Sequence, residues 1–251
     1  MKRSFFPQVH QEDGVAETYL KSWEGFHNVV RKLLHHPSYV FRGQRDFKWL
    51  LEPSLTRLVQ TKSRWKAYEG KYVDTFRQAL RGRIDDAILF SLNEPELLAI
   101  GQHFGLATPL LDWCTSPYVA LFFAFEQPDG RPQSPYRTVA ALHERFIAGV
   151  SDATEGGGIE FFRPTSGFNK RLVHQGGLFT RSPLFVDIQT WVEEQFENVD
   201  EAILIKVHIP SGNRLECLRG LNRMNINHVS LFPDIDGSSQ FCNLKIEITN
   251  Y

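Results

Sequence analysis

Four stretches of the chain gather side chains that can bind charge or move protons. The first is Tyr39-Val40-Phe41-Arg42-Gly43-Gln44. An arginine set among apolar residues needs a partner, because its guanidinium does not lose its charge. Its planar fork suits a phosphate or a carboxylate, and the glycine after it admits a ligand or another backbone at close range. An internal salt bridge would use the same residues, and on spacing alone it is the plainer reading.

The second stretch runs from Gln102-His103-Phe104-Gly105 to Asp112-Trp113-Cys114-Thr115-Ser116-Pro117. Gln102 and His103 fall in the last turn of an expected helix, where carbonyl dipoles favour a protonated imidazole. Asp112 lies between Leu111 and Trp113 and calls for a partner, for which Arg42 is the candidate. Thr115 and Ser116 precede a helix whose free amides can take an anion. Each residue also has a structural role open to it: Ser116 as an N-cap, His103 as a packed core histidine, Asp112 as an acceptor for helix amides. Their concentration within 15 residues is what favours a site.

Two further groups follow. Asn169-Lys170-Arg171 leads through Gln175-Gly176-Gly177 toward Leu178-Phe179-Thr180, a basic and amide-bearing loop before a strand. Asp234 and Asp236 beside Gly237 imitate a calcium loop, but the further oxygen ligands and closing glutamate of an EF-hand are missing. Capping of the last helix by Asp236 is the conservative assignment. No paired Cys/His zinc spacing, Walker loop or nucleophile elbow occurs, so no metal is expected.

These residues need elements to hold them. Apolar steps of three and four predict a helix over 16–34, ended by His35-His36-Pro37. Tyr39 to Gln44 reads as a strand, with Val40 and Arg42 on one face and Phe41 and Gly43 on the other. A second helix is predicted over 64–90 with Ser63 as N-cap, weakened at Gly70 and Gly82. A third starts near Pro95 and stops at Gly105; Leu106 to Trp113 is extended. Ser116-Pro117 opens a fourth, whose body Val119 to Phe125 is apolar on every side and so belongs in the middle of the molecule. Strands are predicted at 138–142, 159–162, 178–180 and 202–209, and helices near 214–221 and from Ser238. The fold class is α+β: a helical N-terminal half around a buried central helix, and a mixed or antiparallel sheet mainly in the C-terminal half. No repeat or linker divides the 251 residues, so one domain over 1–251 is expected.

Composition sets the bounds. Hydrophobic residues make up 42% and charged residues 23%, which argues for a packed core. The net charge of -1 supplies no global field toward a polyanion, although 28 lysines and arginines leave room for a local basic patch. Three cysteines without a CxxC pair read as reduced thiols. With no signal-like segment and no apolar run near ~18 residues, a cytoplasmic location without membrane contact is expected.

Taken together, the four stretches resemble the FRG domain, a bacterial family named for a Phe/Tyr-Arg-Gly motif. The matching residues are Phe41-Arg42-Gly43-Gln44, Gln102-His103-Phe104-Gly105, Leu110-Leu111-Asp112-Trp113 and Ser116-Pro117. Beyond these come Ala120-Leu121-Phe122-Phe123-Ala124, Arg171 with Gln175-Gly176-Gly177-Leu178-Phe179, and Leu231 to Gly237. A second, weaker likeness is to ADP-ribosyltransferases of the arginine-serine-glutamate type, with Arg42-Gly43 in the first role and Thr115-Ser116 in the second. That likeness implies NAD as a substrate and an ADP-ribosyltransferase-like or NAD-glycohydrolase-like activity, in a bacterial toxin or phage-defence setting. Together with the residue-level reading, it gives Arg42, His103, Asp112, Ser116 and Asp236 as the catalytic candidates. NAD contacts would come from Arg42, Gly43, Gln44, Gln102, Thr115 and Gln175. The glutamate of the third family element has no match; Asp234 or Asp236 are the substitutes at hand.

The expected partner is a nucleotide-type small molecule, with the macromolecular acceptor left open. A competing reading is a non-catalytic module that binds a phosphorylated ligand or nucleic acid through Arg42 and the 169–177 loop. The near-neutral charge does not point to nucleic acid. A third reading has Arg42 and Asp112 simply paired within the scaffold.

Overall fold

The computed structural model describes residues 10–36, 38–128, 130, 133–151, 157–165 and 170–251. Met1 to Pro7, Pro37, Gly156 and Asn169 lie outside the described residues, as does part of the 129–135 turn.

The strands are β1 (His10–Glu12), β2 (Val15–Tyr19), β3 (Tyr39–Gln44) and β4 (Leu110–Cys114), then β5 (Tyr136–His143), β6 (Glu160–Phe162), β7 (Gly177–Arg181) and β8 (Leu204–Pro210). They form a sheet in the order β1-β2-β8-β5-β3-β4-β7-β6. All neighbours are antiparallel except β2 and β8. The fold is α+β, and the sheet draws four strands from each side of the central helix.

That helix follows from its sequence. In chain order the helices are α1 (Gly25–Leu33), α2 (Ser54–Val59), α3 (Lys62–Lys66), α4 (Tyr72–Ala79), α5 (Asp86–Ser91), α6 (Glu94–His103) and α7 (Pro117–Phe125). Then come α8 (Glu144–Ser151), α9 (Lys170–His174), α10 (Ile188–Gln195), α11 (Arg214–Arg223), α12 (His228–Leu231) and α13 (Ile235–Glu247). Helix α7 is apolar all round and buries Val119, Ala120, Leu121, Phe122, Ala124 and Phe125. Ser116 caps it by accepting from the Val119 amide at 3.4 Å, and Pro117 sits at the first helical position.

Strand alternation sends side chains to two cores. Phe41, Val139, Ala141, Ile205 and Val207 pack with α1, α7 and α11. Val40, Leu111, Trp113, Ala140 and Leu142 pack on the opposite face with α10 residues Trp191 and Val192. Gly43 belongs to the α7 face: a Cβ there would overlap the Ala120 carbonyl oxygen and the Ala124 amide nitrogen. Of the two approaches glycine permits, the backbone of α7 is the one it serves here.

The carbonyls at the end of α7 are held by two buried arginines. Arg137 Nη1 donates to Ala124 O at 2.6 Å and Gln127 O at 2.9 Å. Arg214 donates to Phe125 O at 3.0 Å and Glu126 O at 2.8 Å, and pairs with Glu247. These groups satisfy acceptors that a helix terminus leaves open and complement its negative end.

The structure corrects several sequence expectations. The helix expected over 16–34 begins only at Gly25, since residues 15–19 form β2. Their backbone pairs with β8 and so outweighs a spacing that fits either element. The helix expected over 64–90 is cut into α3, α4 and α5. Gly70 and Gly82, at φ +77° and +70°, break it in the left-handed region. Thr61, not Ser63, caps α3 through the Arg64 amide, and Asp234, not Asp236, caps α13 through Gly237 N at 2.9 Å. Among the described residues, no helix is long and apolar enough to cross a membrane.

Candidate active site at the split between β3 and β4

Strand β3 pairs with β5 over six residues, and β4 pairs with β7 over five. Between β3 and β4 only Phe41 and Cys114 are in register. Beyond that point the strands splay, and a cavity of about 380 Å³ opens in the wedge. Unzipping two strands leaves backbone acceptors without ladder partners, and a side chain must replace the missing donors.

Arg42 does this. Its Nη1 donates to the Asp112 carbonyl oxygen at 2.7 Å and lies 3.6 Å from Asp112 Oδ2. The side chain is 22% exposed, and its Nε is a buried donor without a partner among the described residues. Burial draws the guanidinium's pKa down and the Asp112 carboxylate opposes it. An arginine remains charged under either influence.

Helix α6 supplies the second wall. It starts at an Asn93–Glu96 capping box and ends against Gly105 at φ +91°. Its last turn brings Gln102 to the wedge, where Nε2 donates to Asp112 Oδ2 at 2.8 Å. Gln102 Oε1 accepts from the buried Thr108 hydroxyl, which also accepts from Leu110 N at 3.2 Å. A chain of hydrogen bonds thus fixes Asp112 between Gln102 and Arg42. The carboxylate itself is 61% exposed, so it faces the opening and is not a buried charge.

His103 also lines the wedge and is exposed, not packed in the core. Partial desolvation, together with the nearby Arg171 guanidinium, lowers its pKa against the pull of Asp234. The helix end does not win here. The neutral imidazole is favoured, contrary to the protonated form expected from the dipole.

The third and fourth stretches of sequence meet across the mouth. Arg171 Nε donates to Asp234 Oδ2 at 2.6 Å and Nη2 to Asp236 Oδ2 at 3.2 Å, with its guanidinium 5.1 Å from the Phe232 ring centre. The Arg171 hydrogen bond, then the Gly237 amide, hold Asp234 below the usual carboxylate range. Gln175 donates to Leu231 O at 3.2 Å and lines the wedge beside Arg171 and Gly177.

The wedge therefore gathers Arg42, Gly43, Gln102, His103, Asp112 and Gln175 from the sequence candidates. Four others stand apart from its lining. Ser116 is spent on capping α7. Thr115 pairs through its backbone amide with Gly176 O at 3.0 Å. Gln44 is buried and donates to Trp49 O and Leu50 O. Asp236 reaches the site only through Arg171.

Sequence reasoning missed Glu126 as a site residue. It follows α7 directly, is 18% exposed, lines the wedge, and lies 3.4 Å from His228 Nε2. Its place one residue past an apolar helix whose N-terminus abuts the site stretch was the available signal. Cys114 lines the wedge too, but burial pushes its thiol up to about 12, which leaves no thiolate near neutral pH.

No curated protein and no solved structure matches the chain. Residues 37–132 match the model of the FRG domain, a span that supplies Arg42, Gln102, His103, Asp112 and Glu126. Only β3 and β4 of the sheet fall within it; the remaining six strands are contributed by flanking sequence. The protein is an FRG domain-containing protein.

Proposed function

We propose that the wedge binds NAD and cleaves its nicotinamide–ribose bond, in the manner of an ADP-ribosyltransferase or NAD glycohydrolase. The observation that carries this reading is the convergence of two arginines, a neutral histidine and two carboxylates on one cavity of about 380 Å³. That volume suits the reacting half of a dinucleotide. Arg42 and Arg171 supply forks for the diphosphate. Trp113, Phe123, Phe179 and Phe232 offer apolar surface for the nicotinamide ring.

In the reaction the C1′–N bond breaks and its electron pair neutralises the pyridinium, so nicotinamide leaves uncharged. The cationic ribose that remains needs an anion beside it, as in glycoside hydrolysis. Glu126 takes the role for which the sequence offered only Asp234 or Asp236. Both of those aspartates are engaged by Arg171 at the rim. Water or an acceptor then attacks C1′, and its proton passes to His103, whose neutral form is the one a base requires. Incubation with NAD is expected to release nicotinamide and leave ADP-ribose. No release, together with no heat of NAD binding, would contradict the proposal.

A second reading has its own support. Arg42 is already bound to the Asp112 carbonyl, and Arg171 to two aspartates, so the site can also serve as a non-catalytic clamp for a phosphorylated ligand. Binding of ADP-ribose or a phosphate ester without any turnover of NAD would favour it.

A further inference from the structure

The near-zero net charge hides a strong local asymmetry. Residues 57–83 hold eight lysines and arginines against two acids, Glu69 and Asp74, while the whole chain sums to -1. This segment runs from the end of α2 through α3 and α4 to the turn after α4, and none of its residues lines the wedge. Three of the eight are committed to carbonyls: Arg57 to Glu52, Arg77 to Leu89 and Leu92, Arg83 to Ala79. Lys62, Arg64, Lys66, Lys71 and Arg81 are exposed, and among the described residues none of them forms an ion pair.

The same segment lines a groove of about 850 Å³ against residues 181–185. Trp65 and Tyr72 meet edge to face at 5.9 Å on one wall. Phe185 stands among the residues of the 181–185 side, at φ +67°. Tyr68 lies beside the groove and is 57% exposed. Lys62, Lys66, Arg77 and Arg181 line it against Glu69, Asp74 and Glu94, the last paired with Arg181, so the lining is mixed and the excess positive charge comes from the rest of residues 57–83.

We infer that this groove binds single-stranded nucleic acid, the exposed cations tracking phosphates and the aromatic rings stacking on bases. A lipid surface fits less well. The apolar residues of α4 and the following turn, Val73, Phe76 and Leu80, pack inward against Leu89, Leu92 and Leu97, leaving no apolar face to enter a bilayer. Neither α3 nor α4 buries any residue fully, so both helices keep surface open to a partner.

The test uses the full chain and fluorescent 20-nucleotide oligo-dT and oligo-U, with a duplex of equal length and anionic phospholipid vesicles as comparators. Single strands should bind, with log Kd rising with log salt at a slope near ~0.7 per neutralised phosphate, hence ~3.5 if all five exposed cations engage. The exposed triple variant K62E/R64E/K66E should bind at least tenfold more weakly and lose about 2 from that slope. Trp65→Ala should weaken binding to strands more than to inorganic polyphosphate. If the triple variant misfolds, Trp65→Ala at the groove and Arg42→Ala at the wedge still tell the two sites apart. No strand binding, binding to vesicles only, or loss of binding in Arg42→Ala with none in the triple variant would overturn the inference.

Discussion

At the scale of single residues, the site rests on two substitutions for ordinary backbone pairing and ordinary charge. Arg42 stands in for the ladder that β3 and β4 do not make, donating to the Asp112 carbonyl. Glu126 brings a carboxylate into the same cavity. Glu126→Gln should keep NAD binding within a few-fold while lowering nicotinamide release by ~10²–10³, the range for loss of one transition-state electrostatic group; a matched loss of binding would show a structural role instead. His103 gives a pH prediction. Its pKa is lowered from the ordinary 6.5, so the neutral base persists further into acid. The rate should hold at neutral pH and fall only below that value, and His103→Gln should abolish this acidic limb. Arg42, Gln102, His103 and Asp112 were legible in the sequence as candidates because residue type and density single them out, with Arg42 the expected partner of Asp112; the Gln102–Asp112 bond was not. Glu126 was not, since one acid at a helix end is indistinguishable from a solvated cap until α7 is seen to point it at the wedge.

At the scale of elements, α7 decides what the site residues can do. Gly43 is required by the approach of α7 to β3, with Ala120 and Ala124 backbone where a side chain would go. Gly43→Ala should cost at the upper end of the ~1–3 kcal/mol overpacking range or beyond, read as a fall in the denaturation midpoint. Arg214→Met removes a donor from the Phe125 and Glu126 carbonyls, and from Gln127 O, which keeps Arg137, and takes away the partner of Glu247. A loss of about 3 kcal/mol is expected in urea unfolding, since buried acceptors are left unsatisfied. Strand β3 and helices α6 and α7 were readable because caps, proline and apolar patterning agree at each. Residues 15–19 were not. Val15, Ala16 and Tyr19 fit helix spacing and strand alternation alike, and only β8, almost 190 residues away, decides between them.

At the scale of the whole molecule, the sheet order is set by contacts that no local pattern announces. The parallel pairing of β2 with β8 is fastened by Glu17, which lies 3.6 Å from His208 Nε2 and 3.0 Å from Lys206 Nζ. His208, with Lys206, holds the Glu17 carboxyl down at about 2 from an ordinary 4.5. A depressed carboxylate contributes stability above its unfolded pKa and loses it as pH falls toward the folded one. Stability should therefore decline between about pH 4.5 and pH 2, by on the order of 2 kcal/mol from this group, and Glu17→Gln should flatten that decline. The α+β class and the central helix were legible from the sequence, whereas the split of the sheet at Phe41 and Cys114, and with it the cavity, was not. The measurement that tests the central claim most directly is calorimetric titration of NAD into wild type, Arg42→Ala and Glu126→Gln. NAD binding to wild type and to Glu126→Gln, with at least a tenfold loss in Arg42→Ala, is the predicted result; equal affinity in all three, or no binding by wild type, would contradict it.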